Sequence, residues 1–258
     1  MSHWVLQSGW EHEPGWQVML DFLDRLAIPY SIHKVVPFIG ELEPPPEPRS
    51  ADVICFGSYS MRHYARKMGW NPGVFDLEPF DFEVQRAQWG DAMLNADSEV
   101  LPFRDVRFEG ERFIRPIEDS KVFAGAVFDG DEFEAWRVRV VELAEDIGNS
   151  LTGATLVQLS VPKAIRVEVR CWVVEGRVVT ASVYKQRDRV MYSADVDQRF
   201  IDYAESLAAI WSPEKAYCLD VCDTESGLRV VEINTINSAG FYAADMQKLV
   251  MALDGLRR

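Results

Sequence analysis

Two carboxylates and an amide, Asp220, Glu232 and Asn234, lie in two short apolar-rich runs, Ala216–Cys222 and Leu228–Asn234. Between the runs stands Asp-Thr-Glu-Ser-Gly, whose glycine and small polar residues favour a turn. Folded as a hairpin about Ser226, the segment sets Asp220 opposite Glu232 and Cys218 opposite Asn234. Side chains alternate faces along a strand. One face then carries Leu219, Val221, Val231 and Ile233, and the other Cys218, Asp220, Cys222, Val230, Glu232 and Asn234. Like charges directly opposite each other destabilise a sheet, and a hard cation between them removes the conflict. A few oxygen ligands completed by phosphates and waters suit Mg²⁺. The alternative is a solvent-facing hairpin face, on which acidic residues are ordinary. Asn237-Ser238-Ala239-Gly240 follows at once and leads into a helical pattern ending near Gly255. With Asn or Ser as N-cap, the free N–H groups of that first turn face an anion; a cap by Ser238 for stability alone is the other reading.

A second hairpin, Arg166–Lys185, turns at Glu175-Gly176, where glycine supplies a positive φ. That register pairs Val174 with Arg177, Arg170 with Ala181 and Arg166 with Lys185. Arg166, Glu168, Arg170, Trp172 and Lys185 then share one face, and Val167, Val169, Cys171, Val173 and Val178 the other. Such a cluster of cations is unusual in a chain with 41 acidic residues. Arginine offers a planar fork of donors suited to phosphate oxygens. With Arg115 and Lys121 the cations form a candidate triphosphate clamp, while taken singly each is equally served by Glu168 and solvent.

The elements that must position these groups follow from periodicity. Strands are expected at Trp4–Gln7, Tyr30–Phe38 and Asp52–Gly57, with helices over Trp16–Ala27 and near Ser60–Met68. This alternation argues for a parallel sheet. The proline-rich Glu41–Ser50 reads as a stiff surface loop, or as a partner-binding polyproline segment. Phe82–Asn95 is an expected helix, followed by strands at Arg112–Arg115 and near Lys121–Phe128, a helix around Glu132–Leu143 and a strand at Ala154–Val161.

Composition narrows the class. With 258 residues, 48% hydrophobic and 26% charged, the chain can bury a sizeable core. A net charge of −14 argues against general affinity for nucleic acid or acidic membranes, so an anionic ligand needs a local basic concentration. Neither a signal peptide nor a membrane-length apolar run is apparent. The four cysteines form no C-x-x-C pair and read as reduced thiols of a cytoplasmic protein.

The order FIRP–EDSKVFAG, LVQLSV, VEVRCWVV, LDV and EIN resembles the ATP-grasp superfamily, most of all its short, often phage-encoded members with an Arg-Pro pair near the start of the nucleotide-binding region. The resemblance covers roughly Phe82 to the end and, more loosely, the lobe before it. It implies an α/β fold in which an N-terminal parallel lobe, residues 1–81, precedes two mixed α+β lobes, residues 82–258, that clasp the nucleotide. It implies ATP with Mg²⁺ on Asp220, Glu232 and Asn234. Arg115 stands where many members have lysine at the α- or β-phosphate. The loop Glu118–Gly125, poor in glycine, matches the mobile phosphate loop, with Lys121 its cation. Gln158, Leu159 and Val161 belong to the linker that reads adenine through its backbone, and Lys163 stands near the usual acidic ribose contact. Arg170, with Lys185 assisting, matches the catalytic arginine on the transferred γ-phosphate. Asn237, Ser238 and Gly240 would meet the acyl phosphate or acceptor.

The activity so implied is an ATP-dependent carboxylate–amine ligase acting on a small-molecule, peptide or protein carboxylate and an amine acceptor. A kinase and a non-catalytic nucleotide-binding protein are the alternatives from other classes.

Overall fold

β-Branched and aromatic runs separated by amphipathic helices build the expected parallel sheet in the first part of the chain. The computed structural model describes residues 2–36, 39–77, 81–118, 122–142 and 151–256. Strands β1 (His3–Gln7), β2 (Tyr30–Val35), β4 (Asp52–Phe56) and β5 (Asn71–Gly73) run parallel. Strand β3 (Leu42–Glu43) adds antiparallel to β2, giving the order β3-β2-β1-β4-β5. The segment read as a proline-rich loop therefore contains a short edge strand, the place where a sheet tolerates neighbouring prolines. Helices α1 (Trp16–Arg25) and α2 (Met61–Met68) follow β1 and β4.

Compactness divides the chain into one unit of Met1–Leu77 with Ile165–Arg258 and another of Glu78–Ala164. It groups the last third of the chain with the N-terminal lobe, whereas the division 1–81 and 82–258 is what the resemblance implies. In the second unit, α3 (Phe82–Trp89) is capped by Asp81, whose carboxylate accepts the Glu83 N–H at 2.6 Å. Strands β6 (Glu99–Pro102), β7 (Glu111–Pro116), β8 (Ala126–Asp129) and β9 (Leu156–Ser160) form a sheet in the order β6-β9-β7-β8, with α4 (Gly130–Glu142) after β8. Its core joins Ile114, Val157 and Leu159 to the aromatic group Phe103, Phe128, Phe133 and Trp136.

The first unit's second sheet is antiparallel throughout. It comprises β10 (Ile165–Val174), β11 (Arg177–Gln186), β12 (Arg189–Ser193), β13 (Ala216–Thr224) and β14 (Gly227–Asn234), in the order β12-β11-β10-β13-β14. Helix α5 (Gln198–Ile210), capped by Asp197, packs on β10, β11 and β13. Trp172, Val174, Ala216 and Cys218, on the other face, share a core with Trp4, Leu6, Ile54, Phe56 and helix α6 (Met246–Asp254). All four cysteines are buried and unpaired, and burial pushes their thiols up, Cys222 to about 12. No helix among the described residues is long and apolar enough to cross a membrane.

The helix expected to open at Asn237–Gly240 begins later. Ile236–Ser238 is a single 3-10 turn, and α6 is capped by Asp245, which accepts the Lys248 N–H at 3.1 Å. Asn237 is withdrawn from capping because its amide is committed to the first sheet. Its Oδ1 accepts the Phe75 N–H at 2.8 Å, its Nδ2 donates to the Cys55 carbonyl at 2.5 Å, and its own carbonyl accepts the Gly57 N–H at 2.8 Å. At 1% exposure these bonds have no water to replace them.

Asn237→Ala leaves the Phe75 N–H and the Cys55 carbonyl unsatisfied in the interior. A loss of about 2–4 kcal/mol is expected in urea unfolding, with Ser238→Ala nearly neutral.

Candidate functional site

The register of the second sheet writes the site in rows. Ser182, Arg170, Asp220 and Glu232 stand opposite one another across β11, β10, β13 and β14. On one side lies the row Thr180, Trp172, Cys218 and Asn234; on the other, Lys185, Glu168 and Cys222. The Asp220–Glu232 and Cys218–Asn234 pairings expected from the sequence are present. Nearer the turn, Val221 pairs with Val230 and Cys222 with Arg229, so the ladder shifts by one residue and Val231 forms a bulge. Val230 therefore joins the face of Val221, not that of Asp220.

The basic hairpin departs further from its expected register. Arg170 faces Ser182 in place of Ala181, and Lys185 faces Glu168 in place of Arg166. Val179 and Tyr184 are the extra residues, and bulges of this kind re-aim side chains. Arg166 leaves the cluster: it is exposed, and its guanidinium reaches Glu225 at 3.9 Å. The clamp of cations expected on this face thus reduces to Arg170 and Lys185.

Arg170 and Asp220 form a two-pronged ion pair. Arg170 Nε donates to Asp220 Oδ1 at 2.8 Å and Nη2 to Oδ2 at 2.7 Å, with both side chains buried. Asn234 Nδ2 donates to Asp220 Oδ2 at 3.3 Å and to Glu232 Oε1 at 3.1 Å. Lys185 Nζ lies 3.0 Å from Glu168 Oε1, and the Tyr184 hydroxyl donates to Glu168 Oε2 at 2.7 Å. Burial pushes the Asp220 carboxyl up, Glu232 and Glu168 add to the push, and Arg170 opposes it. Burial works against the charge on Arg170 as well, but Asp220 overrules it and holds the guanidinium protonated. Burial raises the Tyr184 hydroxyl, helped by Asp220 and Glu168, so it stays a donor.

This face gathers Arg170 and Lys185 with Glu168, Asp220 and Glu232. The Asn234 amide hydrogens bridge the Asp220 and Glu232 carboxylates at the point that calls for a cation. Turning that amide presents its Oδ1 beside two carboxylates, a donor set that fits Mg²⁺. Among the described residues no group of three His, Cys, Asp or Glu can hold a metal ion; here the third donor is an amide.

In the second unit, Arg115 on β7 stands opposite Gln158 on β9. Gln158 is buried, and its Oε1 accepts from the Ser98 hydroxyl at 3.5 Å. Leu159 faces Ile114 in the core, while Val161 is exposed. Because β9 lies between β6 and β7, the backbones of Gln158 and Leu159 are already paired on both sides, and the chain leaves the sheet only after Ser160. Lys163 is ion-paired with Asp97 at 2.7 Å. Lys121 lies outside the described residues. Of the expected acceptor contacts, Asn237 is consumed by the fold, whereas Ser238 and Gly240 are half-buried. The tyrosines Tyr184 and Tyr242, which lie against Arg170, and Tyr192, which stacks on Tyr242, carry no local sequence signal, because bulges and a chain crossing bring them together.

The fold is that of ATP-grasp proteins. A family model described as an ATP-grasp domain, the third family of its clade, matches residues 50–253, and the chain belongs to that family. Solved structures of similar fold include a RimK-domain ATP-grasp protein from Sphaerobacter thermophilus, with TM-score 0.62, 13% identity and 96% of this chain and 98% of that one covered. The ATP-grasp ligase PsnB, solved with its minimal precursor, gives TM-score 0.59 at 17% identity over 98% of each chain. The D-cycloserine synthetase DcsG gives 0.60 at 12% identity over 99% of this chain and 100% of that one. No curated protein matches the sequence.

Removing one partner of a buried pair costs about 3–5 kcal/mol, and that loss is expected for Arg170→Ala. Without Arg170, burial, Glu232 and Glu168 push Asp220 up against the Asn234 amide alone, and its folded pKa lies above the unfolded value of about 4. The native state then binds more protons than the unfolded state between those values, so stability is lost as pH rises. The urea midpoint of Arg170→Ala should fall from pH 5 to pH 8, and adding Asp220→Asn should abolish that fall.

Proposed function

We propose that this protein is an ATP-dependent carboxylate–amine ligase that works through an acyl phosphate. The observation that carries the reading is the row Arg170–Asp220–Glu232, with Asn234 bridging its two carboxylates. A face that needs a cation beside a buried arginine is suited to a metal-bound triphosphate. On this reading Asp220, Glu232 and Asn234 hold Mg²⁺, which when bound neutralises phosphate charge. Arg170 stabilises the transferred γ-phosphoryl group, and Lys185, oriented by Glu168, assists. Arg115 and Lys121 bind the α- and β-phosphates. The chain at Gln158, Leu159 and Val161 holds adenine, with the backbone outside the sheet ladder only beyond Ser160. Ser238 and Gly240 meet the acyl group, and Asn237 fixes their turn.

A peptide or protein carboxylate is the substrate class we favour. PsnB, similar in fold, was solved with a precursor peptide and AMPPNP. Catalysis by this site is positioning and charge neutralisation more than proton transfer.

Glu232→Gln removes a like charge facing Asp220. Apo stability is therefore expected to hold or rise, while stabilisation by Mg·ATP disappears in calorimetry; unchanged Mg·ATP affinity sinks the metal assignment. The reaction itself is checked by hydroxylamine trapping. Incubation with Mg·ATP and acidic peptides or small carboxylates should give hydroxamates together with ADP. A kinase gives a phosphoester and no hydroxamate, and a protein that only binds nucleotide gives neither.

A further inference from the structure

Residues 240–245 cross the site as a strap tied on both sides of Tyr242. The Phe241 ring is fully buried and its N–H donates to Glu13 Oε2 at 3.2 Å. Beyond Tyr242, the Ala243 N–H donates to Ser182 Oγ at 3.2 Å and the Asp245 N–H to Thr180 Oγ1 at 2.8 Å. Between these ties Tyr242 has φ 49°, a left-handed conformation that bulky side chains rarely adopt. Such a conformation persists only when the surroundings hold it.

What holds it is a stack of rings over the ion pair. The Tyr242 ring stacks on Tyr184 at 5.2 Å and 21° and on Tyr192 at 4.9 Å and 29°. Arg170 Cζ lies 5.0 Å from the Tyr242 centroid and 5.7 Å from that of Tyr184. The guanidinium therefore has its fork on Asp220 and its charge within reach of two aromatic rings. An aromatic face attracts a desolvated cation strongly enough to orient it.

We propose that Tyr242, backed by Tyr192, is a positioning residue which with Tyr184 holds Arg170 in the orientation in which it meets the transferred phosphate. The inference rests on the ligase reading to the extent that Arg170 faces the γ-phosphate. Asp220 holds the guanidinium by its two-pronged pair, and attraction to the Tyr242 and Tyr184 rings adds a second restraint. Tyr184 is fixed in turn through its hydrogen bond to Glu168.

The test compares Mg·ATP with Mg·ADP affinity by calorimetry in wild type, Tyr242→Phe, Tyr242→Leu and Arg170→Ala. A loss of fold or of general nucleotide grip weakens both ligands alike, whereas a displaced Arg170 weakens ATP alone. Tyr242→Phe, which keeps the ring, should match wild type. Tyr242→Leu should lose roughly tenfold in ATP affinity and less than twofold in ADP affinity. Equal losses, or none, in Tyr242→Leu beside an ATP-selective loss in Arg170→Ala overturn the positioning role and leave the phosphate reading standing. No ATP-selective loss in Arg170→Ala overturns both. If Tyr242→Leu fails to fold, Tyr192→Ala, at a residue 47% exposed, serves in its place. A smaller ATP-selective loss supports the proposal there, and none overturns it.

Discussion

A buried carboxylate beside a second carboxylate is tolerated only with a cation at hand, and at Asp220 that cation is Arg170. The two are direct cross-strand neighbours on β10 and β13, joined at both prongs. Their pairing depends on register to the residue, because a slip by one sends every side chain to the opposite face. The same face is core at one end, with Trp172, Val174 and Cys218, and polar at the other. The apolar end anchors the register that the polar end requires.

Irregularity supplies what a regular ladder cannot. Tyr184 and Val231 are extra residues in their strands, and each shifts the pairing beyond it. The shift at Tyr184 places Lys185 across from Glu168 and lets the tyrosine ring reach the same face. The shift at Val231 keeps Glu232 and Asn234 beside Asp220 while the turn closes tightly at Thr224 and Gly227. Bulges beside a reactive site are a recurrent device for aiming side chains.

The first unit is fastened across the chain's full length. Asn237, directly after β14, binds backbone groups at Cys55, Gly57 and Phe75. The polar sheet is thereby set against the parallel sheet by hydrogen bonds as well as by their shared core. A shared fold does not by itself assign a reaction; the case for a ligase rests on this face's charges and on the family to which the chain belongs.

The sequence by itself determined the family, the alternating elements of the N-terminal lobe and the Asp220–Glu232 and Cys218–Asn234 pairings. The family was legible in the order of its motifs, and the elements and pairings depend on local periodicity and turn chemistry, which a short window contains. Tertiary structure alone decided that Arg170 belongs to Asp220, that Arg166 leaves the cluster and that Lys185 turns to Glu168. The first depends on pairing two strands distant in sequence; the other two depend on bulges, and a bulge reflects the balance of packing on both faces of a sheet, which no local pattern encodes. Asn237 looked like a helix cap by its neighbours in sequence, but its partners lie more than 150 residues away. The tyrosine stack was equally hidden. Its rings come from β11, β12 and the strap before α6, and only the folded chain stacks them beside one guanidinium.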